Sequence, residues 1–103
     1  MGGGVLVLGN IVFDTPVRPV DELKWNATVW VESIEQSLGG NGANTAYAAA
    51  ILGVPVRLLG YTGSDAAASF CLGQLSGAGV DISMVVRSDS PTECRRTMSG
   101  LTP

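Results

Sequence analysis

The sequence predicts an α/β domain: a parallel sheet with flanking helices, a small β excursion, and an incomplete edge. Three observations carry this. Val5-Leu6-Val7-Leu8-Gly9 and Val56-Arg57-Leu58-Leu59-Gly60-Tyr61 are short apolar runs bounded by glycine, the pattern of strands buried on both faces. A glycine-rich turn, Gly39-Gly40-Asn41-Gly42-Ala43-Asn44, opens directly into the alanine-rich segment Thr45 to Gly53. Ala68, Cys71, Leu72 and Leu75 then fall at i, i+3, i+4 and i+7, the spacing of an amphipathic helix. Strands alternating with helices build a parallel sheet.

Taken in order, Val5 to Leu8 is the first central strand. From Asn10 to Leu38 the character changes, because Pro16 and Pro19 break the chain and Thr28 to Gln36 alternates loosely in β-formers. This stretch reads as a hairpin-like excursion with one wet face, its apolar side covered by Trp25 and Trp30 unless those rings stack on a substrate. Asn41 or Asn44 caps the next helix, whose apolar residues run almost all round from Ala46 to Leu52, a sign of burial on more than one face. Gly53 ends it and Pro55 prevents its return. Val56 to Tyr61 is the second central strand, Thr62 to Asp65 a turn and helix start, and Gly77 and Gly79 stop the second helix. Val80 to Val86 is a third strand, and Ser88 to Pro103, with neither period 2 nor period 3.6, reads as loop or tail. Three parallel strands leave an edge that a complete protein covers or extends, so the chain reads as a piece of something larger.

Composition narrows the partners. At 103 residues the chain is one domain at most. Charged residues make up 15% against roughly 25% in ordinary soluble domains, so part of the surface is expected to be covered. A net charge of −3 and a pI near 4.6 argue against nucleic acid or an anionic membrane as partner. Small neutral ligands stay open. Met1-Gly2-Gly3-Gly4 has no basic residue and Val5 to Leu8 is too short for a signal core, which predicts a cytoplasmic protein. Leu6 stands where N-myristoylation needs Ser or Thr. Two cysteines cannot build a disulfide framework, and Cys71 reads as a buried, reduced thiol. With no histidine, Ser-His-Asp and histidine-metal sites are excluded.

The glycine-rich turn is the candidate site. Bare backbone lets a ligand approach the main chain, and a helix start presents N–H groups without partners. Asn41 and Asn44 each donate and accept, which suits hydroxyls better than phosphates and points to a sugar or nucleoside. The plainer readings are a tight turn for the glycines and a helix cap for Asn44.

These residues resemble the amino-terminal part of the ribokinase-like (PfkB) carbohydrate kinases, a family of sugar and nucleoside kinases. Gly39 to Asn44 is similar to its GG-x-x-A-N signature, placed after a lid and before a helix. The Val54-Pro55-Val56 turn, Gly60 to Asp65 as G-x-x-G-x-D, and Gly79-Val80-Asp81 follow in the family's order. The resemblance covers about residues 5 to 92. It implies a ribokinase-like, Rossmann-like sheet over residues 1–92, with a lid at about 15–38, and leaves 93–103 as an irregular tail where the family places an alternating lid strand.

The resemblance also implies roles. Asn10 and Asp14, in Gly9-Asn10-Ile11-Val12-Phe13-Asp14, hold acceptor hydroxyls, while Gly39, Gly40, Asn41 and Asn44 meet the sugar through backbone and amides. A carboxylate suits a diol because it accepts two directional hydrogen bonds; the plainer reading of Asp14 is a turn aspartate after a strand. The Asn10 to Asp14 interval is similar to the nucleoside kinases, and Val12 stands where ribokinase-type enzymes place an asparagine, which bears against ribose. The lid closes over the acceptor to exclude water and pairs with a second subunit's lid in a homodimer. Asp65 reads as structural. The family's catalytic aspartate, ATP and Mg²⁺ sites lie in its carboxyl-terminal part, so the complete protein is expected to use ATP and Mg²⁺ while this chain binds neither and is inactive alone. Two alternatives stand beside the kinase. One is a non-catalytic ligand-binding or dimerisation module. The other is a dinucleotide-binding domain, suggested by Gly40-x-Gly42-x-x-Thr45 with Asp65 about 20 residues on.

Overall fold

A computed structural model describes residues 4–20 and 25–98. Met1 to Gly3, residues 21–24 of the excursion and residues 99–103 of the tail lie outside the described residues. Strand β1 (Val5–Leu8) pairs in parallel with β5 (Val56–Leu59), Val5 opposite Val56 through Leu8 opposite Leu59. Helix α1 (Asn41–Ile51) precedes β5, and helix α2 (Ala66–Ala78) follows the short strand β6 (Tyr61–Thr62). Both helices pack on one core. Val7, Ile11, Ala43, Ala46, Val56, Leu58, Cys71, Leu72, Leu75 and Val80 form it, all buried. The four α2 positions singled out by periodicity, Ala68, Cys71, Leu72 and Leu75, are buried. Gly79 closes α2 in the left-handed conformation, φ 101°.

Several expectations are corrected. In β1 only Val7 is buried, so the strand expected to be covered on both faces is covered on one; among the described residues nothing packs over Leu6 and Leu8. Helix α1 buries Gly42, Ala43 and Ala46 but leaves Tyr47, Ile51 and Leu52 exposed, because it has a single neighbouring layer. The third strand is broken. Asp81 makes one parallel bridge to Arg57, then its carboxylate accepts the Ser83 N–H at 2.9 Å and turns the chain, which rejoins β6 only at β7 (Val86–Arg87). Trp25 and Trp30 are 96% and 89% exposed and cover nothing.

The excursion is a second sheet. Its spine is β2 (Val12–Arg18), which takes β3 (Ser33–Ile34) and β4 (Ser37–Gly39) antiparallel, at Val17–Arg18 and Val12–Asp14. Residues 28–32 carry no strand. Beside β2 runs β8 (Glu93–Met98), parallel and in register from Val12 opposite Glu93 to Val17 opposite Met98. The irregular tail expected from residue 93 is therefore a strand through Met98. Its side chains are all exposed and follow no hydrophobic alternation, so pattern could not show it; the open edge of β2 imposes the conformation. Phe13 meets Phe70 edge-on, centroids 5.4 Å apart, and ties this sheet to α2.

Candidate functional site

Where β1 ends, Gly9 and Asn10 run against the start of α1. The Asn10 N–H donates to Asn41 Oδ1 at 3.0 Å, and the Ala43 N–H donates to the Asn10 carbonyl at 3.0 Å. So close a meeting of two backbones dictates glycine. At Gly40, φ is +92° and an added Cβ would lie 2.4 Å from the Asn10 oxygen; at Gly42 it would lie 2.5 Å from the Gly9 carbonyl carbon. The turn is glycine-rich because the first strand's end is pressed into it.

Helix α1 starts at Asn41 with Gly40 as its N-cap and no side-chain cap. This corrects the expected capping by Asn41 or Asn44. The Asn41 amide oxygen instead accepts from Asn10, and Asn41 and Asn44 are both exposed on the first turn. Gly39 and Gly40 are buried.

Asp14 sits on β2 rather than in a turn, opposite Ser37 on one side and Arg95 on the other. Thr97 Oγ1 donates to its Oδ1 at 3.0 Å, and Arg95 Nη2 lies 3.5 Å from its Oδ2, a loose charged contact. Gly39 is close by, since its added Cβ would be 3.4 Å from Asp14 Cβ. The six residues named from sequence thus lie along one junction: Asn10, Asn41 and Asn44 on the helix-start side, Gly39 and Gly40 in the middle, Asp14 on the lid side. Arg95 and Thr97 were missed, and the only signal for them was the lid strand that the resemblance places after Pro91-Thr92.

Asp65 caps α2. Its Oδ1 accepts the Ala68 N–H at 2.9 Å and the Thr92 hydroxyl at 2.6 Å, and its Oδ2 accepts the Thr92 N–H at 3.0 Å. These bonds, those from Thr92 foremost, hold its carboxyl down at about 2. Asp65 accepts three hydrogen bonds from its own chain, which bears against its serving as the ribose-binding acid of the dinucleotide alternative. That reading also lacks its strand, since β4 belongs to the excursion's sheet. Midway along α2's buried face, desolvation pushes the Cys71 thiol up to about 11, while Cys94 is exposed; both are free. Among the described residues no group of three or more His, Cys, Asp or Glu comes together as a metal site, and no helix is long and apolar enough to cross a membrane.

Comparison with known proteins agrees with this architecture. The chain is 40% identical over 86 residues to the bifunctional protein HldE of Pseudomonas fluorescens (strain SBW25), covering 74% of this chain and 17% of that protein. It is 36% identical over 99 residues to HldE of Erwinia tasmaniensis, covering 86% and 19%. The chain therefore spans less than a fifth of the length of these relatives. Among solved structures, the ribokinase of Arabidopsis thaliana complexed with ribose and ATP superposes with a TM-score of 0.83 at 28% identity, covering 95% of this chain and 32% of that one. The ribokinase of Cryptococcus neoformans in complex with ADP gives 0.82 at 26%, covering 97% and 32%. A model of the pfkB family carbohydrate kinases matches residues 4–99, and with the ribokinase-like fold and the turn at its centre, the chain belongs to that family.

Proposed function

We propose that this chain forms the acceptor-binding part of an ATP-dependent sugar or nucleoside kinase, whose complete form transfers a phosphoryl group to a substrate hydroxyl. The observation that carries this is the convergence of Asn10, Asp14 and the Gly39–Asn44 turn. Asp14 accepts hydrogen bonds from acceptor hydroxyls, the amides of Asn41 and Asn44 both donate and accept, and Gly39 and Gly40 admit the sugar to the backbone. The excursion over residues 15–38, joined by β8, acts as the lid that keeps water from competing with the acceptor. A homodimer through the lid fits its exposed Trp30 and Ile34.

ATP and Mg²⁺ belong to the complete protein in this reading. Relatives of known structure hold ATP or ADP, which supports nucleotide use. The described residues offer no cluster of carboxylates for Mg²⁺, so no step is assigned to the ion on this chain. The chain alone binds acceptor and does not turn over.

The test is calorimetric titration of the 103-residue chain with D-ribose, D-fructose, adenosine and NAD. Binding of a sugar or nucleoside that Asp14→Asn abolishes is expected. Binding of NAD alone, or ATP-dependent phosphorylation by this chain alone, would contradict the reading. A complete protein that binds acceptor without phosphorylating it would make the chain a ligand-binding module.

A further inference from the structure

Strand β8 joins the lid, and the contact between Asp65 and Thr92 closes the start of α2. They are linked. Thr92 is 3% exposed, and its hydroxyl accepts the Gly63 N–H at 2.9 Å while donating to Asp65. This pins the residue immediately before β8 to the start of α2. From that point β8 runs in register along β2, which sets Arg95 opposite Asp14 and Thr97 two residues further along the same face.

We infer that Arg95 and Thr97 are positioning residues of the acceptor site, holding the Asp14 carboxylate in place from β8, and that the Asp65–Thr92 contact seats the strand that carries them. This rests on the proposed role of Asp14. Each partner takes one carboxylate oxygen: Thr97 takes Oδ1 and Arg95 takes Oδ2. A carboxylate has about four acceptor positions, so about two remain for a diol. The side chain of Asp14 is 14% exposed and that of Arg95 is 55% exposed, so the acid is sheltered and the guanidinium forms the outer wall. The turn leaves room for the pair, since a Cβ on Gly39 would meet Arg95 Nη2 at 3.0 Å. An acid whose rotamer is already held loses less entropy on binding, and a carboxylate displaced by an ångström no longer matches a diol.

The two residues make no part of the buried core, which separates positioning from stability. Binding of D-ribose, D-fructose and adenosine to the 103-residue chain is measured by calorimetry, with melting followed by circular dichroism. Thr97→Val and Arg95→Gln are each expected to weaken the best ligand about tenfold at an unchanged melting temperature. Thr97→Ser and Arg95→Lys are expected to restore binding. Thr92→Val is expected to weaken binding too, with faster amide exchange across residues 93–98, and Thr92→Ser to recover both. Wild-type affinity in Thr97→Val and Arg95→Gln, while Asp14→Asn no longer binds, overturns the inference and leaves Asp14's role intact. Wild-type affinity in Asp14→Asn, or no binding by the wild-type chain, overturns the proposed function and the inference together. Unchanged exchange and affinity in Thr92→Val overturn the seating contact.

Discussion

Gly40 and Gly53 both have positive φ, +92° and +84°, yet only Gly40 is crowded; nothing lies within 4 Å of an added Cβ at Gly53. Substituting alanine at the two positions therefore separates backbone strain from close approach. Gly53→Ala is expected to cost about 1 kcal/mol, and Gly40→Ala about 1–3 kcal/mol more because Asn10 must move, read from urea denaturation. Only Gly40→Ala should also abolish acceptor binding. The two thiols give a second contrast. A thiol reagent at pH 8 should label Cys94 at once and Cys71 only on unfolding, because burial has pushed Cys71 up to about 11. At this scale the sequence was legible wherever a residue's position is set by its own neighbours in the chain. Asn10, Gly39, Gly40, Asn41 and Asn44 are read from one strand end and one turn. Arg95 and Thr97 are not, since their role comes from a partner 81 or 83 residues away.

Helix α2 was legible almost entirely, with Asp65 before it, the buried stripe along it and Gly79 after it, whereas Gly77, expected to help stop it, lies inside the helix. Leu75 is fully buried towards its C-terminal end, and Leu75→Ala is expected to lower stability by about 2–5 kcal/mol. The cap predicts a pH dependence. Asp65 has its folded pKa lowered from 3.8 to about 2, so its contribution is complete above 3.8 and is lost as pH falls towards 2. Acid melting curves of the wild type should therefore steepen between pH 4 and about 2, and Asp65→Asn should flatten that part of the curve. Helix α1 was legible in place but not in its cap, because the side chain expected to close its own helix, Asn41, is held by Asn10 instead. The third strand failed at Asp81, where a side-chain turn overrides good β-forming residues. Strand β8 was illegible for the reason opposite to α2's: it buries no side chain, so hydrophobic pattern carries no trace of it.

Over the whole molecule, the radius of gyration is 16.0 Å against about 13 Å for a compact chain of this length, and the thinnest extent is 18 Å. A sheet with helices on one face is that thin. Leu6 and Leu8 on β1, with Ile51 at the end of α1 and Leu52 just after it, leave apolar surface open, so sedimentation of the isolated chain should show concentration-dependent association. Leu6→Lys with Leu8→Glu should reduce it. The parallel fold class followed from strand and helix order, whereas the bare face did not, because an apolar strand looks the same in sequence whether or not anything covers it. The pairing of β8 with β2 also sets the order in which the molecule can assemble. Strand β2 and its partner β8 are separated by about 80 residues, so the contact order of this sheet is high and its loop closure must wait until residues 93–98 have been synthesised. The β1–β5 pair and its helices can condense earlier. Asp14 therefore acquires Arg95 and Thr97 after Ser37, and refolding followed by a probe at residue 97 should lag one at Leu58.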